Sequence, residues 1–146
     1  MLKRKSTAVW RGEGATGQGT LDTQSGAFKA QPYSANMRFA SEDGKAGTNP
    51  EELIAAAHAG CYAMALSFGL TKAGHPPTEL RASATVSMEK GETGWSIVGI
   101  ALDVEGQVPG VTAEVFTEHA EQAKKGCPVS RALAATPITL TARLAG

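Results

Sequence analysis

TNPEELIAAAHAGCYAMALSFGLTKAG, Thr48 to Gly74, is the stretch that decides how the rest of this chain must be arranged. Asn49 suits a helix cap, Pro50 suits the first helical position, and Glu52 stands three residues after the cap, as in a capping box. No breaker follows until Gly74, which precedes His75-Pro76-Pro77. The pattern predicts a helix over 49–73, about 35 Å long. Leu53 to Thr71 carries no formal charge, close to the roughly 20 residues of a bilayer span. Its apolarity is diluted by alanine and by His58, Gly60, Ser67 and Gly69, so it reads as a helix buried in a protein core. Such a helix needs cover on every side.

The cover lies on both flanks. Downstream, Leu80, Ala82, Ala84, Val86 and Met88 alternate with polar residues. After a turn at 91–94, Val98, Ile100, Leu102 and Val104 alternate again, predicting a hairpin. Residues 112–125 read as an amphipathic helix stopped by Gly126, and a short helix runs from Pro128 to about Ala134. A last alternating strand carries Ile138, Leu140, Ala142 and Leu144. Upstream, residues 1–47 form a β-rich region with short strands at Thr7–Trp10, Thr20–Thr23 and Ala35–Ala40. The expected fold class is α+β, antiparallel sheet around a long central helix. It is a single domain over 1–146, divided into 1–47, the helix at 49–73, and an α+β region at 79–146. Aromatic residues make up only 5% of the chain, which leaves apolar surface for a second copy to cover; closed two-fold dimers are the commonest oligomers.

Composition narrows the function. Fourteen basic residues balance fourteen acidic ones, and no basic stripe points to nucleic acid. No apolar signal region follows Met1-Leu2, so the expected location is a reducing cytoplasm. Two cysteines in 146 residues are too few for a secreted disulfide scaffold. In that compartment a cysteine pair points to catalysis or sensing.

Cys61, inside the long helix, has two readings. Position alone favours an inert, small hydrophobic residue, since burial without a cation raises a thiol's pKa. Cys127, in Gly126-Cys127-Pro128-Val129-Ser130, falls at a helix cap, where unpaired N–H groups favour a thiolate. His58 shares a helix face with Cys61 and reads either as a hydrogen-bonded core histidine or as a base. With no further ligand at metal spacing, no metal is expected. A buried thiolate needs a positive partner. Arg38, between Met37 and Phe39 in an expected strand, is the candidate, and Glu51 or Glu52 is its natural carboxylate. Glu52 fits the capping box, which leaves Glu51 as a first-turn acid free for other work. Glu51 and Cys61 stand ten positions apart, about 15 Å along a helix. Glu51 therefore reaches that thiol only through another residue or from a second chain.

With these residues assembled, the chain resembles the OsmC/Ohr family of osmotically inducible and organic hydroperoxide resistance proteins. Three segments carry the resemblance: Gln31-Pro32-Tyr33 with Met37-Arg38-Phe39, Gly47 to Leu53 with His58-Ala59-Gly60-Cys61, and Gly126 to Ser130. The polar N-terminal hairpin is closer to the OsmC branch. The resemblance implies an intertwined homodimer with active sites at its interface. It implies thiol-dependent reduction of hydroperoxides, preferably organic ones, with no metal or haem and with an external dithiol such as lipoamide or a lipoylated protein as reductant. Cys61 would be the peroxidatic cysteine, Cys127 the resolving one, Arg38 the support of the thiolate, and Glu51 the carboxylate holding that arginine. Tyr33, Phe39, Tyr62 and Met64 would line an apolar substrate pocket. The rival reading is a redox sensor or binding protein that uses the same disulfide as a switch.

Overall fold

Short polar strands form the first sheet of the computed structural model, which describes residues 1–146. Strands β1 (Ser6–Arg11), β2 (Gln18–Thr23) and β3 (Gln31–Ser34) pair antiparallel in that order. Across β2, the Trp10 and Tyr33 rings meet at a tilt of 57° with 5.4 Å between centroids, and both rings lie against Gly19, where a side chain would collide with them. The expected strand at 35–40 is instead a short helix, α1 (Ala35–Phe39). Ser34 decides this locally: its hydroxyl accepts a hydrogen bond from the Met37 N–H at 3.1 Å. Alanine, methionine and arginine then favour helix over strand.

The long helix α2 (Pro50–Lys72) begins and ends where the caps predict. Asn49 Oδ1 accepts from the Glu52 N–H at 2.8 Å; only this half of the expected capping box forms. At the far end Gly74 adopts φ 87°. His75 N–H bonds to Leu70 C=O at 2.8 Å, and Gly74 N–H to Thr71 C=O at 3.0 Å. This is the Schellman closure that a left-handed glycine allows. The chain divides into two compact units, 1–53 and 54–146, with the boundary within the first turns of α2.

In the second unit β4 (Glu79–Gly91) and β5 (Gly94–Gln107) form the expected hairpin, followed by α3 (Ala113–Gly126), α4 (Pro128–Ala132) and β6 (Ile138–Leu144). Two expectations are corrected here. The sheet is mixed, because β6 pairs parallel to β5; the chain returns through α3 and α4, as a parallel neighbour requires. Val98 also falls out of the alternation: the register slips between Ser87 and Met88, which face Gly99 and Ile97, and Val98 stays exposed. Otherwise the period-two pattern holds, with Ile100, Leu102 and Val104 buried.

Tyr62, Leu66 and Leu70 from α2, Leu102 and Val104 from β5, and Phe116, Ala120 and Ala123 from α3 gather into one core with Cys127. Each large side chain buried there stabilises the fold by about 1.5–3 kcal/mol. Gly106 makes room for it, since a Cβ at that position would lie 2.5 Å from the Phe116 ring. The expectation that α2 is covered on every side is not met within one chain. His58, Tyr62, Leu66 and Leu70 are buried, whereas Met64 is 63% and Phe68 72% exposed.

Candidate active site

Cys61 rides on α2 and Cys127 sits at the junction of α3 and α4. Cys127 closes α3 by donating its backbone N–H to Ala123 C=O at 2.9 Å, and its own C=O accepts from Arg131 N–H at 3.0 Å. Pro128 starts α4, so Cys127 is pinned at both ends of its own backbone. The two sulfurs come within 2.9 Å and share a hydrogen bond. Both cysteines are free thiols, within a small movement of the roughly 2.05 Å of a disulfide bond. Cys61 is partly exposed and Cys127 has no accessible surface.

The environments of the two thiols differ. Burial pushes the Cys61 thiol up, the Cys127 contact adds to this, and the Val129 backbone opposes it. Burial acts on Cys127 in the same direction. It is outweighed by hydrogen bonds from Cys61, from the Ser130 N–H and hydroxyl, and from the Val129 N–H, so this thiol is held below its ordinary value. The sulfur makes no side-chain cap bond to α4.

His58 and Ser130 lie beside the thiols. His58 Nε2 and Ser130 Oγ are 2.7 Å apart, and both residues are buried. Of the two readings for His58, the hydrogen-bonded core residue is the one found, and burial lowers its pKa below the ordinary 6.5. The consequence for stability has a definite sign. As pH falls through 6.5 the unfolded chain binds a proton that the folded chain refuses until its lower pKa is reached. The contribution is thus complete above about 6.5 and is lost progressively below it. The melting temperature of the protein should fall more steeply between about pH 7 and about pH 5 than that of His58→Gln; equal slopes would contradict it.

Arg38 and Glu51 are paired within the first unit, on α1 and the first turn of α2. Arg38 Nε donates to both Glu51 carboxylate oxygens at 3.2 Å, and Nη2 to Oε1 at 2.6 Å. Glu51 is 8% exposed, so this two-point contact is largely sheltered. The Arg38 guanidinium also lies 4.8 Å from the centre of the Phe39 ring. The expected partner is confirmed, while the expected strand is not, because Arg38 stands on a helix. Glu52 faces solvent.

Tyr33, Phe39, Tyr62 and Met64, expected to line a substrate pocket, differ in their own surroundings. Tyr33 borders a hollow of about 560 Å³ with Arg11 and Met37. Phe39 is 43% exposed. Met64 belongs to the open face of α2. Tyr62 is corrected: it is a core residue with no accessible surface, its hydroxyl donates to Ala120 C=O at 3.2 Å, and burial pushes its ionisation well up. Ser130 is the residue sequence reasoning missed. The signal was present, because Ser130 stands in the motif that follows Cys127, three residues after it and within the helix that Pro128 opens.

An α+β chain presenting two free thiols in bonding reach, with no cluster of three metal-ligating side chains, is a protein built around a redox-capable dithiol. The chain belongs to the OsmC-like protein family, whose model matches residues 42–143. Peroxiredoxin OsmC of Escherichia coli K12 is 47% identical over 143 residues, 98% of this chain and 97% of that protein. The organic hydroperoxide resistance protein OhrA of Bacillus subtilis 168 is 33% identical over 86 residues, 58% of this chain and 59% of OhrA. The crystal structure of OhrB from Bacillus subtilis aligns with a TM-score of 0.70 at 26% identity, covering 97% of this chain and 98% of OhrB. An OsmC-like protein of unknown function from Vibrio cholerae aligns at 0.77 with 15% identity, over 97% and 99% of the two chains. That second likeness is one of fold.

Proposed function

We propose that this protein is a thiol-dependent peroxidase that reduces organic hydroperoxides, and hydrogen peroxide more weakly, in the reducing cytoplasm. The observation that carries the reading is the dithiol: two free thiols 2.9 Å apart, one partly open and one sealed. The names of the peroxiredoxin and hydroperoxide resistance relatives support it. The Cys61 thiolate attacks the distal peroxide oxygen, the O–O bond breaks, and with one proton the alcohol leaves, so that Cys61 becomes a sulfenic acid. The Cys127 thiolate then attacks the Cys61 sulfur; hydroxide departs and is protonated to water, leaving the disulfide. An external dithiol, with lipoamide or a lipoylated protein as the candidate, exchanges with that disulfide and is itself oxidised.

Burial works against the Cys61 thiolate, so its charge needs a cation. The Arg38–Glu51 pair is proposed for that role, with Glu51 holding the guanidinium and Arg38 also meeting the charge that develops on the departing oxygen. A homodimer is part of this reading, because the exposed Met64 and Phe68 form an apolar face that a second copy would cover. The test is steady-state turnover with cumene hydroperoxide and hydrogen peroxide in parallel, with reduced lipoamide and then glutathione. Sustained turnover, faster with cumene hydroperoxide and with lipoamide, is expected. A single slow oxidation without turnover would replace the enzyme by the redox sensor.

A further inference from the structure

Strand β3 runs straight into α1, and Ser34 is both the last residue of the strand and the cap of the helix. Residues 35–40 have two courses open to them. Ala35, Met37 and Phe39 alternate with Asn36 and Arg38, which is the period of a strand. A longer β3 would need a partner, and β2 offers none. Ser34 faces Gln18 in the register of the two strands, so the next position on β2 is Gly17. There the chain has already turned: Gly17 N–H bonds to Glu13 C=O at 2.7 Å. A Cβ on Gly17 would run into that oxygen and into Arg11 C=O, so only glycine fits this turn. The ladder ends at Ser34, and the helical course is left.

Five residues are too few to hold a helix by themselves, so α1 depends on what is attached to it. At its start Ser34 Oγ accepts the Met37 N–H at 3.1 Å. At its end Ala40 N–H bonds to Asn36 C=O at 3.0 Å. Met37 is also seated against Gly47, where a Cβ would stand 2.6 Å from its sulfur. Arg38 is the next residue after the capped N–H. From that place its Nε donates to both Glu51 oxygens at 3.2 Å and its Nη2 to Oε1 at 2.6 Å. The conformation of 35–38 decides whether this contact exists. Four residues beyond Ser34 is about 6 Å along a helix and about 13 Å along a strand. A strand would carry the Arg38 backbone several ångströms away, and the two-point contact tolerates no such shift.

We infer that Ser34 is a positioning residue for Arg38: its hydroxyl commits 35–39 to helix and so sets the place from which the guanidinium meets Glu51. The inference rests on the peroxidase reading for the use made of Arg38. Ser34 touches no reacting atom in this account. It acts through Arg38 alone, by weighting the capped helix against the uncapped chain.

The Arg38 Nε–H, held between the two Glu51 oxygens, can be followed by heteronuclear NMR and assigned by its loss in Arg38→Lys. Its exchange with solvent reads how often the pair opens. In Ser34→Ala this proton should exchange about fivefold faster, the weight of a lost serine cap. Ser34→Asn, an equally good cap, should return it to the wild-type rate. The amides of β5 should keep their protection in every variant; a loss there as well would make Ser34 a residue of general stability and overturn the inference. With lipoamide present, kcat/KM for cumene hydroperoxide should fall about twofold or more in Ser34→Ala and recover in Ser34→Asn. The acidic limb of its pH profile should move up in the alanine variant, because a displaced guanidinium supports the Cys61 thiolate less. Unchanged Nε–H exchange in Ser34→Ala, or an asparagine variant that behaves like the alanine one, would overturn the inference. The exchange measurement involves no peroxide, so the two readings fail separately. An inactive wild type with faster exchange in Ser34→Ala removes the peroxidase, and an active one with unchanged exchange removes the role of the cap.

Discussion

Replacing Cys61 with serine is expected to abolish turnover of cumene hydroperoxide, by about 10³-fold or more. A serine hydroxyl at the same place is not ionised near neutral pH and forms no sulfenic acid, so the first bond to the peroxide oxygen is never made. The choice of Cys61 over Cys127 comes from access. Cys61 keeps accessible surface and Cys127 has none, and the attacking sulfur has to meet a substrate from solvent. Charge within the chain argues the other way, because burial pushes the Cys61 thiol up while hydrogen bonds hold Cys127 down. The assignment therefore depends on a cation near Cys61 in the working enzyme, which is the part given to Arg38. A Cys61→Ser variant that retained turnover, assayed by peroxide loss with lipoamide present, would end the scheme.

Replacing Cys127 with serine should leave the first step intact and change its product. One equivalent of hydroperoxide per site is consumed, and the oxidised Cys61 then persists as a sulfenic acid because no thiol stands 2.9 Å away to condense with it. In the wild type the same equivalent ends as a disulfide. Dimedone should therefore label the variant and leave the wild type almost unlabelled, and excess peroxide should drive the variant on to sulfinic acid. The mass of the Cys61 peptide reads both. A variant that gave no dimedone adduct after consuming its equivalent would remove Cys127 as the resolving residue.

Some of this was within reach of sequence alone, for a physical reason. Caps, turns and period-two alternation act over a few residues, so Asn49-Pro50, Gly74, Thr112 and Gly126 mark helix ends that the structure keeps. Local chemistry was also the source of one error. Ala35 to Ala40 reads as a strand only if the Ser34 hydroxyl, which caps a helix at Met37, is overlooked. The Arg38–Glu51 pair was anticipated because a sheltered arginine demands a carboxylate, whatever element it stands on.

The dithiol was visible as two motifs, and their contact was not. The Cys61–Cys127 and His58–Ser130 contacts join positions 66 and 72 residues apart, and no local signal specifies a pairing over that distance. The parallel register of β6 on β5 and the one-sided burial of α2 belong to the same class. Sequence by itself determined most of the elements, one cysteine within a helix and one at a helix cap, and the balanced charge, because these follow from neighbours along the chain. Tertiary structure alone decided which sulfur is sealed, which histidine nitrogen meets the serine and which helix face stays bare. Each of those depends on what the rest of the chain packs against a given side chain.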